Sequence, residues 1–375
     1  ARALSDDCIY GLYRPYGAPP EPDLEDLLTR QGFLCREGDP SLWEVDMSAP
    51  TVLIQNLETT IQEPLSRNPR VLAAIRRGHQ RLETALTGLY PGNLVLTLSA
   101  GVIHQRLLEM ITAYNEVPAV PTEPRKLGRN MCVPYGKMLR GKIVPNTVTK
   151  TIHTDKVFAR DLTSFDIENF PGYAPLESQI RTIHSFRRPV ILVDDLLHSG
   201  NRIRALDPLF RQEGVVIDRV LVGLLSGRGR DLMAAKGRSV DSVYFIPNMR
   251  SWFVESTMYP FIGGDTVGHG EPSVPGLTPA VNLILPYAFP RFYRECGREA
   301  VFRFSCACLE NARDILLALE RYARNLPLSR LSEAVILPLS PDKGSCMHYD
   351  PSLPASVFLQ NDLEMLLRMR NVLQS

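Results

Sequence analysis

The chain has 375 residues, 44% of them apolar and 22% charged. That length and balance suit two or three folded domains and exclude a disulfide-stapled miniprotein, a disordered tail and a collagen-like repeat. Lysine and arginine total 42 against 41 acids, a net charge of +1, so the chain lacks the basic footprint of a protein that coats duplex nucleic acid, and any attraction for anions has to be local.

No run approaches the roughly 18 apolar residues of a membrane span. The opening ARALSDDC holds no apolar signal core, so no membrane partner is expected and the expected address is cytoplasmic. Seven cysteines, an odd number with no repeated CxxC, argue for reduced thiols and against a structural zinc site. Cys306 and Cys308 continue an alternation begun by Phe302 and Phe304, which predicts a strand over residues 301–308 with its cysteines buried.

In chain order, the first element is a short helix from Asp23 to Arg30, followed through Gly32 and Phe33 by a strand ending near Val45. DLEDLLTRQGF with the strand after it resembles the closing helix, turn and strand of a GNAT acetyltransferase. The RxxGxG-type loop that would hold the pyrophosphate of acetyl-CoA is absent, so no complete acetyltransferase is expected, and residues 1–68 are read as an α+β appendage entered in mid-domain. From Pro69, Leu72, Ile75, His79, Leu82, Leu86 and Leu89 fall three and four apart, a helical stripe in which His79 is expected to be a satisfied core residue. Pro91 and Gly92 stop that helix. Leu94 to Leu98 then reads as a strand, Ser99-Ala100-Gly101 as a tight turn and Val102 to Tyr114 as a helix.

Between Arg125 and Lys156 the composition changes to eight basic residues, Arg125, Lys126, Arg129, Lys137, Arg140, Lys142, Lys150 and Lys156, against one acid, Asp155. In a chain of net charge +1 this marks a place for an anion. Val144, Val148 and Ile152 with interleaved Thr147, Thr149 and Thr151 predict a β-ribbon, a mobile hairpin or lid. Val190 to Val193 is a continuous apolar run, the mark of a buried parallel strand, and ends in Asp194-Asp195. Leu197-His198-Ser199-Gly200-Asn201-Arg202 leads into a helix stopped by Gly214. Two further strands, Val220 to Leu225 and Val243 to Ile246, flank a short helix. This βαβαβ succession predicts an α/β fold with a doubly wound parallel sheet. A Gly- and Pro-rich linker over residues 263–279 precedes a mostly helical unit at 280–375, with helices from Asn311 to Leu326 and Asn361 to Asn371 and a packing or homodimer-forming role.

In open α/β sheets ligands bind beyond the carboxyl ends of the strands. Two adjacent carboxylates there need a cation, a metal or hydroxyls, and a loop opening a helix offers amides and a positive end to a phosphate. VILVDDLLHSGNR resembles the phosphoribosyl pyrophosphate (PRPP) motif of type I phosphoribosyltransferases, and the likeness extends over residues 69–262: LVLTLSAG resembles the family's pyrophosphate loop, and the basic ribbon of residues 137–156 stands at the place of the catalytic lid. The resemblance implies that Asp194 and Asp195 hold the ribose hydroxyls, with Mg²⁺ bound directly or through water. It implies that Leu197, His198, Ser199, Gly200 and Asn201 hold the 5′-phosphate, and that Ser99, Ala100 and Gly101 face the pyrophosphate. Lys137, Arg140, Lys142 and Lys150 would close on the leaving group.

The loop departs from the family at Asn201, where Gly or Thr is usual, and at Arg202, where the loop commonly ends in Thr. Arg202 would replace the lost hydroxyl with a charge-assisted bond to phosphate. Trp252 and Phe253 would stack on a planar base or pack. The activity so implied is transfer of phosphoribose from PRPP to a base-like acceptor. A sensor of PRPP or nucleotides on the same fold, and a nucleotide pyrophosphorylase or hydrolase, stand as alternatives.

Overall fold

The structure, a computed structural model, describes residues 2–3, 9–13, 22–37, 39–61, 63–124, 126–137, 139, 142–170, 172–268, 280–288, 296–323 and 352–373. Its contacts divide the chain into two compact units. Unit 1 comprises Ala1–Ser99, Phe158–Leu162 and Arg250–Ser375, and unit 2 comprises Ala100–Val157 and Thr163–Met249. The sequence-based division grouped residues 69–99 with the later α/β core. The structure groups them with the two ends of the chain, because the helix that opens at Pro69 is covered by C-terminal helices.

The elements in chain order are β1 (Arg2–Ala3), β2 (Ile9–Tyr13), α1 (Pro22–Arg30), β3 (Leu34–Arg36), β4 (Asp39–Gln55), α2 (Leu57–Thr60), α3 (Pro69–Leu89), β5 (Asn93–Ser99), α4 (Ala100–Tyr114), β6 (Met131–Pro134), β7 (Val148–Thr149), β8 (Thr154–Phe158) and β9 (Phe165–Asn169). There follow α5 (Leu176–Ser185), β10 (Val190–Leu197), α6 (Asn201–Gln212), β11 (Ile217–Ser226), α7 (Gly227–Ala235), β12 (Val240–Ile246), β13 (Ser251–Val254), α8 (Glu255–Met258), β14 (Asp265–Val267), β15 (Ala280–Val281), α9 (Arg298–Ala323) and α10 (Ala355–Leu373). Among the described residues no helix is long and apolar enough to cross a membrane.

Unit 1 is organised by the long strand β4. Its first half pairs antiparallel with β2 and β3, and its second half pairs in parallel with β5 on one side and β13 on the other. α3 begins where Asn68 caps it, the Oδ1 atom accepting from the Arg70 and Val71 amides, with Pro69 in the first turn. Its stripe of Val71, Ile75, Leu82 and Leu86 is buried in one core with Phe304, Cys308, Leu309 and Leu316 of α9 and Leu359 and Leu366 of α10. Residues 301–308 are therefore helix and not the expected strand. The four alternating residues are too few to fix a period, and the buried Val301, Phe302, Phe304, Ser305, Cys308, Leu309 and Ala312 recur at the three- and four-residue spacing of a helix buried on a broad face. The described helices of the 280–375 segment, α9 and α10, share that core with α3 and are not separate from it. Of the expected linker, residues 269–279 lie outside the described residues, and β14 falls within the remainder.

Unit 2 holds a five-stranded sheet in the order β12-β11-β10-β6-β7, every neighbouring pair parallel. Val190 and Leu192 share a core with Leu176, Ile180 and Ile183 of α5 and with Ile203, Leu206 and Phe210 of α6. On the Gly223 side of β11 lies α4, where a Cβ on Gly223 would come within 2.6 Å of Ile103. Burial from both sides explains the unbroken apolar run of β10. The basic segment is not a hairpin. β7 is the edge of the parallel sheet, and β8 neighbours β9 instead.

Candidate functional site

β10 lies between β6 and β11, with Val193 level with Pro134 on one side and Leu221 on the other. Asp194 and Asp195 continue β10 past the end of β6, so the loop that follows β6 comes to lie against them. Gly136 occupies that loop. A Cβ there would stand 2.5 Å from Asp194 Oδ1 and 2.6 Å from Asp195 Oδ1, closer than a side chain tolerates, so only glycine lets the backbone approach both carboxylates. The Lys137 amide donates to Asp195 Oδ2 at 2.6 Å. The loop is fixed from below: the Tyr135 amide donates to the Val193 carbonyl at 2.9 Å, and the Thr154 hydroxyl of β8 donates to the Tyr135 carbonyl at 2.7 Å.

The two acids have unlike surroundings. Asp194 is buried, its Oδ1 accepting from the Asp195 amide at 2.8 Å and from Arg202 Nη1 at 3.0 Å. Burial pushes its carboxyl up to about 7, against the pull of the Arg202 guanidinium, and the neighbouring Asp195 adds to the rise. Asp195 is half-buried. Tyr135 is fully buried beside this pair, and burial holds its phenol well above the usual range with help from Asp194. Its hydroxyl has no hydrogen-bond partner among the described residues.

Arg202 stands in the first turn of α6, where a cation opposes the helix dipole. The sequence reading gave it a phosphate as compensating partner. The structure supplies Asp194 instead, in a pair buried enough that Arg202 is held even more firmly protonated than usual: burial alone would lower its proton affinity, and Asp194 and Asp195 outweigh that. The loop before α6 turns at Gly200, whose φ of 72° is left-handed, and α6 opens without a side-chain cap. Leu197 is buried, Ser199 and Asn201 are exposed, and His198 is intermediate. The His198 imidazole is shifted down, by burial first and by Arg228 second. α7 closes on this loop, since a Cβ on Gly229 would overlap the Leu197 carbonyl and one on Gly200 would overlap Leu232.

The remaining sequence candidates lie on several different elements. Lys137 is brought to the acid pair by its backbone, and its Nζ lies 3.9 Å from buried Asp155. Lys142 and Lys150 line a cleft with Thr147, Thr149, Thr151 and His153 at the β7 edge. Arg140 lies outside the described residues. Ser99 ends β5, which pairs with β4 in the sheet of unit 1, and Ala100 and Gly101 open α4. The loop against the acid pair follows β6, and its signal in the sequence is the buried run MCVP followed by Tyr135-Gly136-Lys137. Trp252 is 39% exposed on β13, whereas Phe253 is buried with its ring 5.7 Å from that of Phe304, which makes it a core residue.

Among the described residues no group of three or more His, Cys, Asp or Glu converges as a metal site. The donor set fits a hydrated Mg²⁺ that keeps most of its ligands from water and substrate, with Asp195 as the more accessible carboxylate. No protein-family model matches the chain, and no curated protein matches it. Among solved structures it is similar to adenine phosphoribosyltransferase from Thermoanaerobacter pseudethanolicus, at 14% identity over 40% of this chain and 80% of that one, with a TM-score of 0.21. A score that low superposes too little to set one site on the other.

Proposed function

We propose that unit 2 binds PRPP with Mg²⁺ and transfers its ribose phosphate to a base-like acceptor. The observation that carries this reading is the close approach of Gly136 to both carboxylates, at a strand end that also opens a helix. Asp195 accepts from a ribose hydroxyl. The exposed amides at the start of α6, with the Ser199 hydroxyl, receive the 5′-phosphate, and Lys137 faces the pyrophosphate. Mg²⁺, if bound, would be held by Asp195 and Asp194 and would supply positive charge for the departing pyrophosphate. In the step itself the acceptor nitrogen bonds to ribose C1 while the C1–O bond breaks and its electron pair leaves with pyrophosphate. The acceptor proton passes to solvent. The chain's contribution is position and charge, with no covalent role.

A second reading, a sensor that binds PRPP without turnover, is favoured by the Arg202–Asp194 pair, in which a cation of the chain itself already meets one of the two carboxylates. Calorimetry with Mg-PRPP, and pyrophosphate release on incubation with PRPP and a panel of bases and amines, separates the two. Acceptor-dependent release supports transfer, and binding without release supports the sensor. Equal Mg-PRPP binding by wild type and Asp195→Asn would refute the ribose site itself.

A further inference from the structure

Unit 1 has a parallel sheet segment of its own, and its carboxyl edge is also polar. Gln55 of β4 is level with Ser99 of β5, and Glu255 follows Val254, which is level with Ile54. Residues in register on parallel strands share a face, so Glu255, Gln55 and Ser99 form a row across three neighbouring strands. Leu53 and Phe253, two residues earlier on β4 and β13, belong to the core that α3 covers, so this row lies on the α3 side. From α3, His79 Nε2 meets Glu255 Oε2 at 3.0 Å, and one turn later Glu83 Oε1 accepts from Gln55 Nε2 at 3.0 Å.

The histidine is held as an acid–base group is held. Glu255 is fully buried, and its other oxygen accepts from the Tyr259 hydroxyl at 3.2 Å, which in turn accepts from Asn311 Nδ2 at 2.9 Å. A buried carboxylate on one ring nitrogen fixes the orientation of the imidazole and raises the basicity of the other nitrogen. His79 keeps 16% of its side chain exposed. Burial lowers the proton affinity of the ring, and the carboxylates Glu255, Glu58 and Glu83 together outweigh that and raise it. Glu58 is exposed just beyond the end of β4, and Glu83 is already bridged to Arg30 at 3.0 Å. This edge thus carries a part-exposed imidazole, the exposed Glu58 carboxylate and the exposed Ser99.

We propose that unit 1 carries a second ligand site at the carboxyl edge of β13, β4 and β5, with His79 as its acid–base group and a small protonated amine as its ligand. The site shares no residue with the acid pair of unit 2 and does not depend on the phosphoribosyl reading. Ethanolamine is a suitable probe, carrying an ammonium for Glu58 and a hydroxyl for His79. In heteronuclear NMR of the full chain, added ethanolamine is expected to shift the His79 ring signals saturably, while glycerol and inorganic phosphate at the same concentrations leave them in place.

Glu58→Gln, a change at an exposed position, is expected to weaken that binding about tenfold, on the order of a hydrogen bond between charged groups. Glu255→Gln should return the His79 titration toward its ordinary range and weaken binding as well. If Glu255→Gln does not fold, Glu58→Gln and wild type still decide the matter. A His79 signal that ignores ethanolamine, that answers phosphate instead, or that responds equally in Glu58→Gln overturns the proposal.

Discussion

The carboxyl edges of the two parallel sheets solve one electrostatic problem with different cations. In unit 2 the buried carboxylate of Asp194 is met by Arg202, and in unit 1 that of Glu255 is met by His79, each at 3.0 Å. A guanidinium remains charged at every ordinary pH, so the first pair has a permanent counter-ion. An imidazole loses its charge near neutrality, so the second pair can be switched off by pH. The first arrangement suits a loop that must stay in place under a ligand. The second suits a group that exchanges protons.

The largest expected effect comes from taking away the permanent cation. Arg202→Ala leaves Asp194 buried without its counter-ion and should lower unfolding stability by about 3–5 kcal/mol at pH 8, read from urea denaturation. The loss should shrink at pH 5, where Asp194 can take up a proton. His79→Ala should cost less, about 1–3 kcal/mol, because Glu255 keeps the Tyr259 hydroxyl. If the two variants lose equal stability at both pH values, the contrast between the pairs fails.

Next comes Gly136→Ala, whose new methyl group meets two carboxylates at 2.5 and 2.6 Å. Moving the loop aside should cost about 1–3 kcal/mol and weaken Mg-PRPP about tenfold or more. Calorimetry that finds wild-type affinity would show that this loop takes no part in binding.

The pH dependence has a definite sign for each pair. His79 is raised above 6.5 in the folded chain, so its contribution to stability is complete below pH 6.5 and is lost as pH rises through the higher folded value. Asp194 rises from 3.8 to about 7. The folded chain therefore binds the proton more tightly than the unfolded one, and stability falls between about pH 4 and pH 7 and is level above. His79→Gln should flatten only the upper window, and Asp194→Asn only the lower. Denaturation across pH 4 to 9 measures both, and one variant flattening both windows would mean that the two edges are not independent.

The smallest effect is expected at Trp252, exposed on β13. Trp252→Ala should stay within about 0.5 kcal/mol of wild type and leave acceptor-dependent pyrophosphate release unchanged. A collapse of that release would restore it as a base-stacking residue.

Local pattern carried much of this architecture. The apolar run before Asp194-Asp195 read directly as a buried strand, the glycine-bearing loop after it as the opening of a helix, and the stripe from Pro69 as α3, because periodicity and punctuation act over a few residues. The acid pair and the basic character of Lys137 were legible for the same reason. Other features depend on which strands become neighbours. LVLTLSAG has the local form of a phosphate loop, yet β5 pairs with β4, and the loop beside the acids follows β6 instead.

Arg202 could be placed on the first turn of α6 from sequence, but its pairing with Asp194 depends on how far β10 runs past β6 before the helix begins. His79 lay in an apolar stripe and read as an ordinary core residue. Its partner Glu255 is 176 residues away, a separation that no periodic pattern spans. Carboxylates are made functional or merely structural by what meets them in the low dielectric of a sheet edge, and those meetings follow from strand order and burial, which are properties of the folded chain.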